Sequence, residues 1–479
     1  MGRNKQNKKR SPASGEFLFE IDPEPLDERV TALGGVPLLL RASRSLDVPG
    51  SVARHLHLKQ RQRGFDEATY VESFLLLNAV GGECLEDFER LAEDPGLESM
   101  LGYRLPSPEA ARKFLYQFHD EEKIDQAQQQ LRLGESSYIP AESTALAGLG
   151  RVNRDVVREL GRRCGSVKTA TVDLDATVIE SHKREAKTSY QGQPGYQPLL
   201  ALWAELNVAL AEEFRDGNVP AQQEPLRLTQ RAFEALPETV QQYYFRGDSA
   251  CYEKQLLNWL RDEQRESGPQ GMIGFAISVR MSAPLKQAIQ QTPPQWWEPY
   301  REDPQVKLEC APILYNPDEN EKAERTPLRY FAIRVRPKQQ NLFADGSSEK
   351  YFAVVSNLGW GVKKLLEWQR EKAGTIEALH DVVKNELAAG VLPCGRFGAN
   401  AAWLRLALLT HNVLTALKRL ALPAELWRAR PKRLRFLIFH TPGKMIRHAR
   451  RQMLRLARAW GRFGNWQGAL QLLPLPLPG

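Results

Sequence analysis

Residues 167–180 read VKTATVDLDATVIE, and their periodicity decides the fold class. Val172, Leu174, Ala176 and Val178 alternate with Asp173, Asp175 and Thr177, the two-residue period of a β-strand with an acidic second face. Downstream, further strands are predicted at 242–246, 272–280, 330–335 and 351–355, and helices at 252–264, 362–388 and 401–420. Strands interleaved with helices give an α/β core. Upstream, TYVESFLLLNAV (69–80), LEDFERLAED (85–94) and SPEAARKFLYQF (107–118) carry helical spacing, with Ser107 and Pro108 suited to an N-cap and a first helical position. Residues 133–147, polar and broken by Gly, Ser and Pro, mark a boundary.

The layout that follows is a disordered basic tail at 1–15 and an all-helical region at 16–147. The first part of the core occupies 148–280, and a β-rich insertion 281–360. Core helices at 361–420 then lead into a basic C-terminal region at 421–479. A length of 479 residues suits about three such units. With 42% hydrophobic and 26% charged residues the composition excludes fibrous and wholly disordered chains. The five cysteines, Cys84, Cys164, Cys251, Cys310 and Cys394, include no Cys-x-x-Cys pair, which argues against a zinc ribbon or a disulfide framework and fits a reducing cytoplasm. The longest uncharged apolar run near the C-terminus, 406–417, contains His411 and Asn412 and is too short to span a bilayer, so no membrane partner is expected.

Charge is distributed unevenly. Residues 401–479 hold fifteen Lys or Arg against the single acid Glu425, while the whole chain nets +8. The first 400 residues are therefore net acidic, and the basic end is a footprint for a polyanion, most often nucleic acid. Within it residues 428–462, interleaved with apolar residues as in MLRLARAW (453–460), read as helical, packing one side and offering Arg447, Arg451, Arg455 and Arg458 on the other to phosphate.

Three acids occupy positions from which an α/β core can bring them together. Asp175 lies on the candidate central strand, Asp248 follows a strand in FRGDSACY (245–252), and Glu377 lies in the helical REKAGTIEALHDVVKNELAAG (370–390). Converged carboxylates make a hard-oxygen site for Mg²⁺ or Mn²⁺, and two such ions promote in-line phosphodiester displacement. The pattern alone leaves Asp173 as an alternative to Asp175, and Glu386 as an alternative to Glu377.

Taken in order, VDLDAT, FRGDSACY, REKAGTIE and LPCGRFGANAAWLRLALLTHNVL (392–414) resemble the DDE transposases of bacterial insertion sequences, over about residues 50–460. The resemblance implies a ribonuclease H-like mixed sheet flanked by helices. Its first carboxylate, in Asp-x-Thr, falls on Asp175 with Thr177. The second, in Arg-Gly-Asp-Ser, falls on Asp248 with Arg246 and Ser249, and the Glu falls on Glu377. A basic residue seven positions on is Lys384, two helical turns later and on the same face. Related transposases often carry Tyr seven and Arg four residues before the Glu; here these are Arg370 and Ala373, which shifts the basic role to Arg370 or the neighbouring Lys372.

The implied activity is metal-dependent cleavage and strand transfer at the terminal inverted repeats of a mobile element, with two Mg²⁺ or Mn²⁺ ions per site. The implied partners are those repeats, target DNA and a second subunit in a synaptic homodimer, in a cytoplasmic, nucleoid-associated setting. The alternatives are a transposase-derived protein that binds DNA without chemistry, and a metal-dependent nuclease that cuts without joining.

Overall fold

The acidic-faced segment becomes an interior strand, third from one edge, of a nine-stranded mixed sheet in the computed structural model, which describes residues 22–24, 29–58, 64–134, 136–317, 328–338, 343, 347–448, 451–456 and 463–473. The basic tail expected at 1–15, and Arg458, lie outside the described residues. The strands of this sheet are β1 (Thr169–Ala176), β2 (Leu199–Trp203), β3 (Val208–Glu213), β4 (Gln242–Gly247), β5 (Ile273–Val279), β6 (Glu298–Arg301), β7 (Val306–Ile313), β8 (Arg329–Pro337) and β9 (Lys350–Ser356). Their order across the sheet is β3-β2-β1-β4-β5-β9-β8-β7-β6. β4 runs parallel to both β1 and β5, and every other pairing is antiparallel. The segment expected as an insertion is β-rich, and its four strands prolong the main sheet from the edge of β5.

Helices cover both faces, as the nearly continuous apolar burial of β5 requires. On one side Leu365 and Leu366 of helix Val362–Arg370 pack with Ala276, Phe331 and Val354. Alternate residues, Phe275, Ile277 and Val355, join Leu256, Leu260 and Leu285 in the main core on the other. The helix expected at 362–388 is two helices, Val362–Arg370 and Lys372–Glu386. At the break the Arg246 guanidinium takes the carbonyl of Trp368 at 2.7 Å, an oxygen that an uninterrupted helix would offer to the amide four residues on.

The 25-residue helix Phe397–Ala421 is buried almost all round and joins the N-terminal helices to the sheet. Trp403 meets Phe74 edge to face and donates to the Ala388 carbonyl. The pairing of β2 with β3 shifts register at Ala201 and Leu202, a bulge that leaves backbone groups on β3 in need of partners. Two buried asparagines provide them. Asn412 accepts from the Ala209 amide and donates to the Ala209 carbonyl, each at 2.8 Å, while Asn153 donates to the carbonyls of Ala209 and Leu210. One polar residue from this apolar helix and one from helix Thr144–Arg163 thus complete a strand.

The boundary expected at residue 147 falls inside helix Thr144–Arg163, whose N-cap Ser143 accepts from the Leu146 amide. Just before it, Glu142 is bound by Arg405 at 2.9 Å and by Arg231 at 3.0 Å. Burial opposes ionisation of this carboxyl, but the two guanidiniums hold its pKa down at about 2. The helical region therefore shares one core with the sheet. Ser107 caps helix Pro108–Tyr116 by accepting from the Ala110 amide, as its sequence indicates.

The C-terminal helix expected around MLRLARAW is instead a β-hairpin, Gly443–His448 with Arg451–Leu456, extended by the short strand Val30–Thr31. Along its second strand Met453 and Arg455 are exposed while Leu454 and Leu456 are covered, and the backbone of Val30 and Thr31 supplies an edge to pair with. No helix among the described residues is long and apolar enough to cross a membrane.

Arg405 is 1% exposed in its side chain and also pairs with buried Glu212, so Arg405→Ala leaves Glu212 and the partly exposed Glu142 short of their partner. The expected loss is about 3–5 kcal/mol of unfolding free energy, measured by denaturant titration.

Candidate active site

The site begins with register. In the parallel pair β1 and β4, Asp173 lies opposite Arg246 and Leu174 opposite Gly247, so the next positions, Asp175 and Asp248, emerge side by side at the carboxyl ends of the two strands. That edge, where chain connections diverge from the middle of the sheet, is where open α/β sheets form their crevices. Here both aspartates line an open cleft of about 690 Å³, with Gln197, Asn218, Thr188 and Tyr190 among its walls. Tyr190 is exposed and follows the strand Lys187–Thr188 of a small three-stranded sheet.

Asp248 caps the short turn Ser249–Cys251 by accepting from the Ala250 amide at 3.0 Å. Gly247 is needed there: a Cβ would stand 2.5 Å from Cβ of Cys251, which is buried under the turn. Burial, reinforced by the charge of Asp248, raises the Cys251 thiol pKa well above its ordinary value. The residue is a packing element that no sequence motif singled out.

Glu377 is exposed on helix Lys372–Glu386. The pKa of Asp175 is raised by burial, lowered by the ammonium of Lys372, and raised again by the negative charges of Asp248 and Glu377. All three sequence-nominated carboxylates therefore share one electrostatic neighbourhood. Among the described residues no set of three His, Cys, Asp or Glu is gathered tightly enough to hold a metal ion as it stands. Instead Lys372 Nζ lies 3.2 Å from Asp175 Oδ2, a cation in contact with the central carboxylate.

The rival acids have other partners. Asp173 is fully buried and held by Arg246, Nε to Oδ1 at 2.6 Å and Nη2 to Oδ2 at 2.9 Å, and it also accepts from the Thr375 hydroxyl. Glu386 accepts from the Lys432 amide and pairs with Arg430, which fastens the helix end to the C-terminal region. Arg246, expected on phosphate, is 2% exposed and spends its donors on Asp173, the Trp368 carbonyl and Glu371. Lys372 is likewise buried, whereas Arg370 is exposed. Lys384 is half-buried and donates to the Val178 carbonyl just beyond β1, at 3.3 Å. His380 is buried, and desolvation lowers its pKa to about 3, so it stays neutral in the physiological range. Arg447, Arg451 and Arg455 are exposed on the hairpin.

A family model described as transposase DDE domain group 1 matches residues 27–473, nearly the whole chain. The chain belongs to the DDE transposases. Among solved structures the transposase is similar to a piggyBac transposase in a synaptic complex with hairpin DNA, at 10% identity over 79% of this chain and 74% of that one, with a TM-score of 0.45. No curated protein matches it.

The transposase thus carries one aspartate built into its core and another facing its cleft, two residues apart. Asp173→Asn breaks a buried charge pair and is expected to cost about 3–5 kcal/mol of stability, whereas Glu377→Gln, on an exposed helix face, should stay within about 0.5 kcal/mol in the same unfolding assay.

Proposed function

We propose that this transposase cleaves and joins DNA strands at the terminal inverted repeats of its own element, with Asp175, Asp248 and Glu377 as the ligands of two Mg²⁺ or Mn²⁺ ions. The observation that carries the reading is the register of β1 and β4, which sets two carboxylates side by side at the mouth of a cleft with the Glu377 charge acting on the first. The donor set fits hard divalent ions, because it is all carboxylate oxygen and because its central member already binds a cation, the Lys372 ammonium. Ions held there supply Lewis-acid activation of the attacking oxygen and neutralise charge at the leaving oxygen. The chain's own contribution is orientation. Asp248 is fixed by its capping bond, Asp175 by the end of β1, and Glu377 by the helix that Thr375 and Arg246 fasten to Asp173.

The strand order β3-β2-β1-β4-β5, with β2 antiparallel to β1 and β4 parallel to it, supports a ribonuclease H-like core. In this reading β6 to β9 are its insertion, and the N-terminal helices read the element end. Lys384 and Arg370 serve the DNA backbone near the site. The hairpin arginines Arg447, Arg451 and Arg455, with Arg458 beyond them, hold duplex phosphates. A synaptic homodimer brings two element ends together, in a nucleoid-associated setting.

Asp175→Asn, Asp248→Asn and Glu377→Gln should each abolish nicking and joining while end binding persists, and the wild-type protein should turn over in Mg²⁺ or Mn²⁺ but not in Ca²⁺. Activity retained by Glu377→Gln and lost by Glu386→Gln would misassign the third ligand. Joining of pre-cut ends separates a transposase from a nuclease.

Charged side chains that bind phosphate release counterions. Neutralising Arg447, Arg451 and Arg455 should therefore weaken specific and unrelated duplexes alike, lowering the slope of log K against log salt by about 0.9 for each phosphate no longer engaged. An unchanged slope, read by fluorescence anisotropy across a salt series, removes the hairpin from the DNA interface.

A further inference from the structure

Lys372 is the first residue of helix Lys372–Glu386, and its side chain is 8% exposed. Both facts run against ordinary preference. A cation at a helix N-terminus opposes the helix dipole, and a buried ammonium is costly unless paired. Its acidic partner is Asp175, at 3.2 Å, and its positive charge is also felt by buried Cys251 and His380. The residue is held in place by its surroundings. Just before it, Arg246 binds the Trp368 carbonyl and Glu371, and just after it Thr375 binds Asp173.

We propose that Lys372 is a tethered counter-ion of the metal-free site, which occupies the coordinating face of Asp175 and is displaced when a divalent ion arrives. The inference rests on the reading of Asp175 as a metal ligand. An ammonium and a divalent ion compete for the same carboxylate oxygens, so loading is an exchange. Asp175 is neutralised from within before an ion binds, and the protein forgoes part of its intrinsic metal affinity in return. Lys372 is thus a positioning residue acting through Asp175. Once displaced, its ammonium is released beside the cleft that Asp175 lines.

The test is Mn²⁺ binding to the full-length, DNA-free protein, followed by electron paramagnetic resonance of the free ion. Lys372→Met should bind Mn²⁺ at least about tenfold more tightly than wild type, because a competing unit charge next to the ligand is removed. Lys372→Arg, which keeps the charge, should stay near wild type. Affinity that is unchanged or weaker in Lys372→Met overturns the proposal. Asp175→Asn is the control for the underlying reading: if it leaves Mn²⁺ binding untouched, the ligand assignment fails, whatever Lys372 does.

Should Lys372→Met not fold, wild-type protein answers the same question through lysine acetylation read by mass spectrometry. Lys372 should be protected without metal and become labelled at saturating Mn²⁺. Protection that persists with Mn²⁺ bound overturns the exchange.

Discussion

The buried pair between Asp173 and Arg246 is the interaction on which the site depends. It joins β1 to β4 across the one seam where neighbouring parallel strands deliver Asp175 and Asp248. The same guanidinium reaches the Trp368 carbonyl and Glu371, and the same carboxylate accepts from Thr375, so both helices leading to Glu377 are fastened to the strands beneath it. Three segments more than 70 residues apart in sequence are thus indexed on two side chains. Desolvation makes such a pair a poor source of stability compared with apolar packing, yet removing one partner is expensive. Its value here is geometric: a shift of the Glu377 helix would strand a buried charge.

Two aspartates two residues apart on one strand are thereby divided into different roles. Asp173 sits opposite an arginine from the neighbouring strand and is enclosed, whereas Asp175, one pleat further on, passes the end of β4 and meets the cleft. Burial and two neighbouring negative charges disfavour its ionised form, and Lys372 offsets them. The site is thus under electrostatic stress that a cation relieves, and the chain carries one of its own.

Part of this arrangement was legible in the sequence, because some signals are local. The two-residue alternation at 167–180, the strands at 242–246, 272–280, 330–335 and 351–355, and the Ser107 cap depend on near neighbours, and each has its counterpart in the structure. The choice between Asp173 and Asp175 was not legible, since both lie on one strand face and only the partner strand distinguishes them. The break between residues 370 and 372 was hidden for the same reason: Arg246, more than 120 residues upstream, captures the Trp368 carbonyl. The boundary expected at 147 falls within a helix, because the polar stretch before it carries Glu142, an ion-pair partner of buried Arg405.

The C-terminal region separates what composition can carry from what it cannot. Net charge adds up whatever the conformation, so the excess of Lys and Arg was readable. Period was not, because a run such as LRLAR satisfies a helix and a strand alike and the deciding partner strand comes from Val30 and Thr31, at the other end of the chain. The hairpin that results sets Lys444 opposite Arg455. Directly opposed like charges destabilise an antiparallel pair. What holds it is the added third strand and the burial of Leu456, whereas the arginines stay exposed. As a helix the same residues would have spread their charges around a cylinder; as a ribbon they are ranked in rows, with Lys444, His448, Arg451 and Arg455 sharing one face.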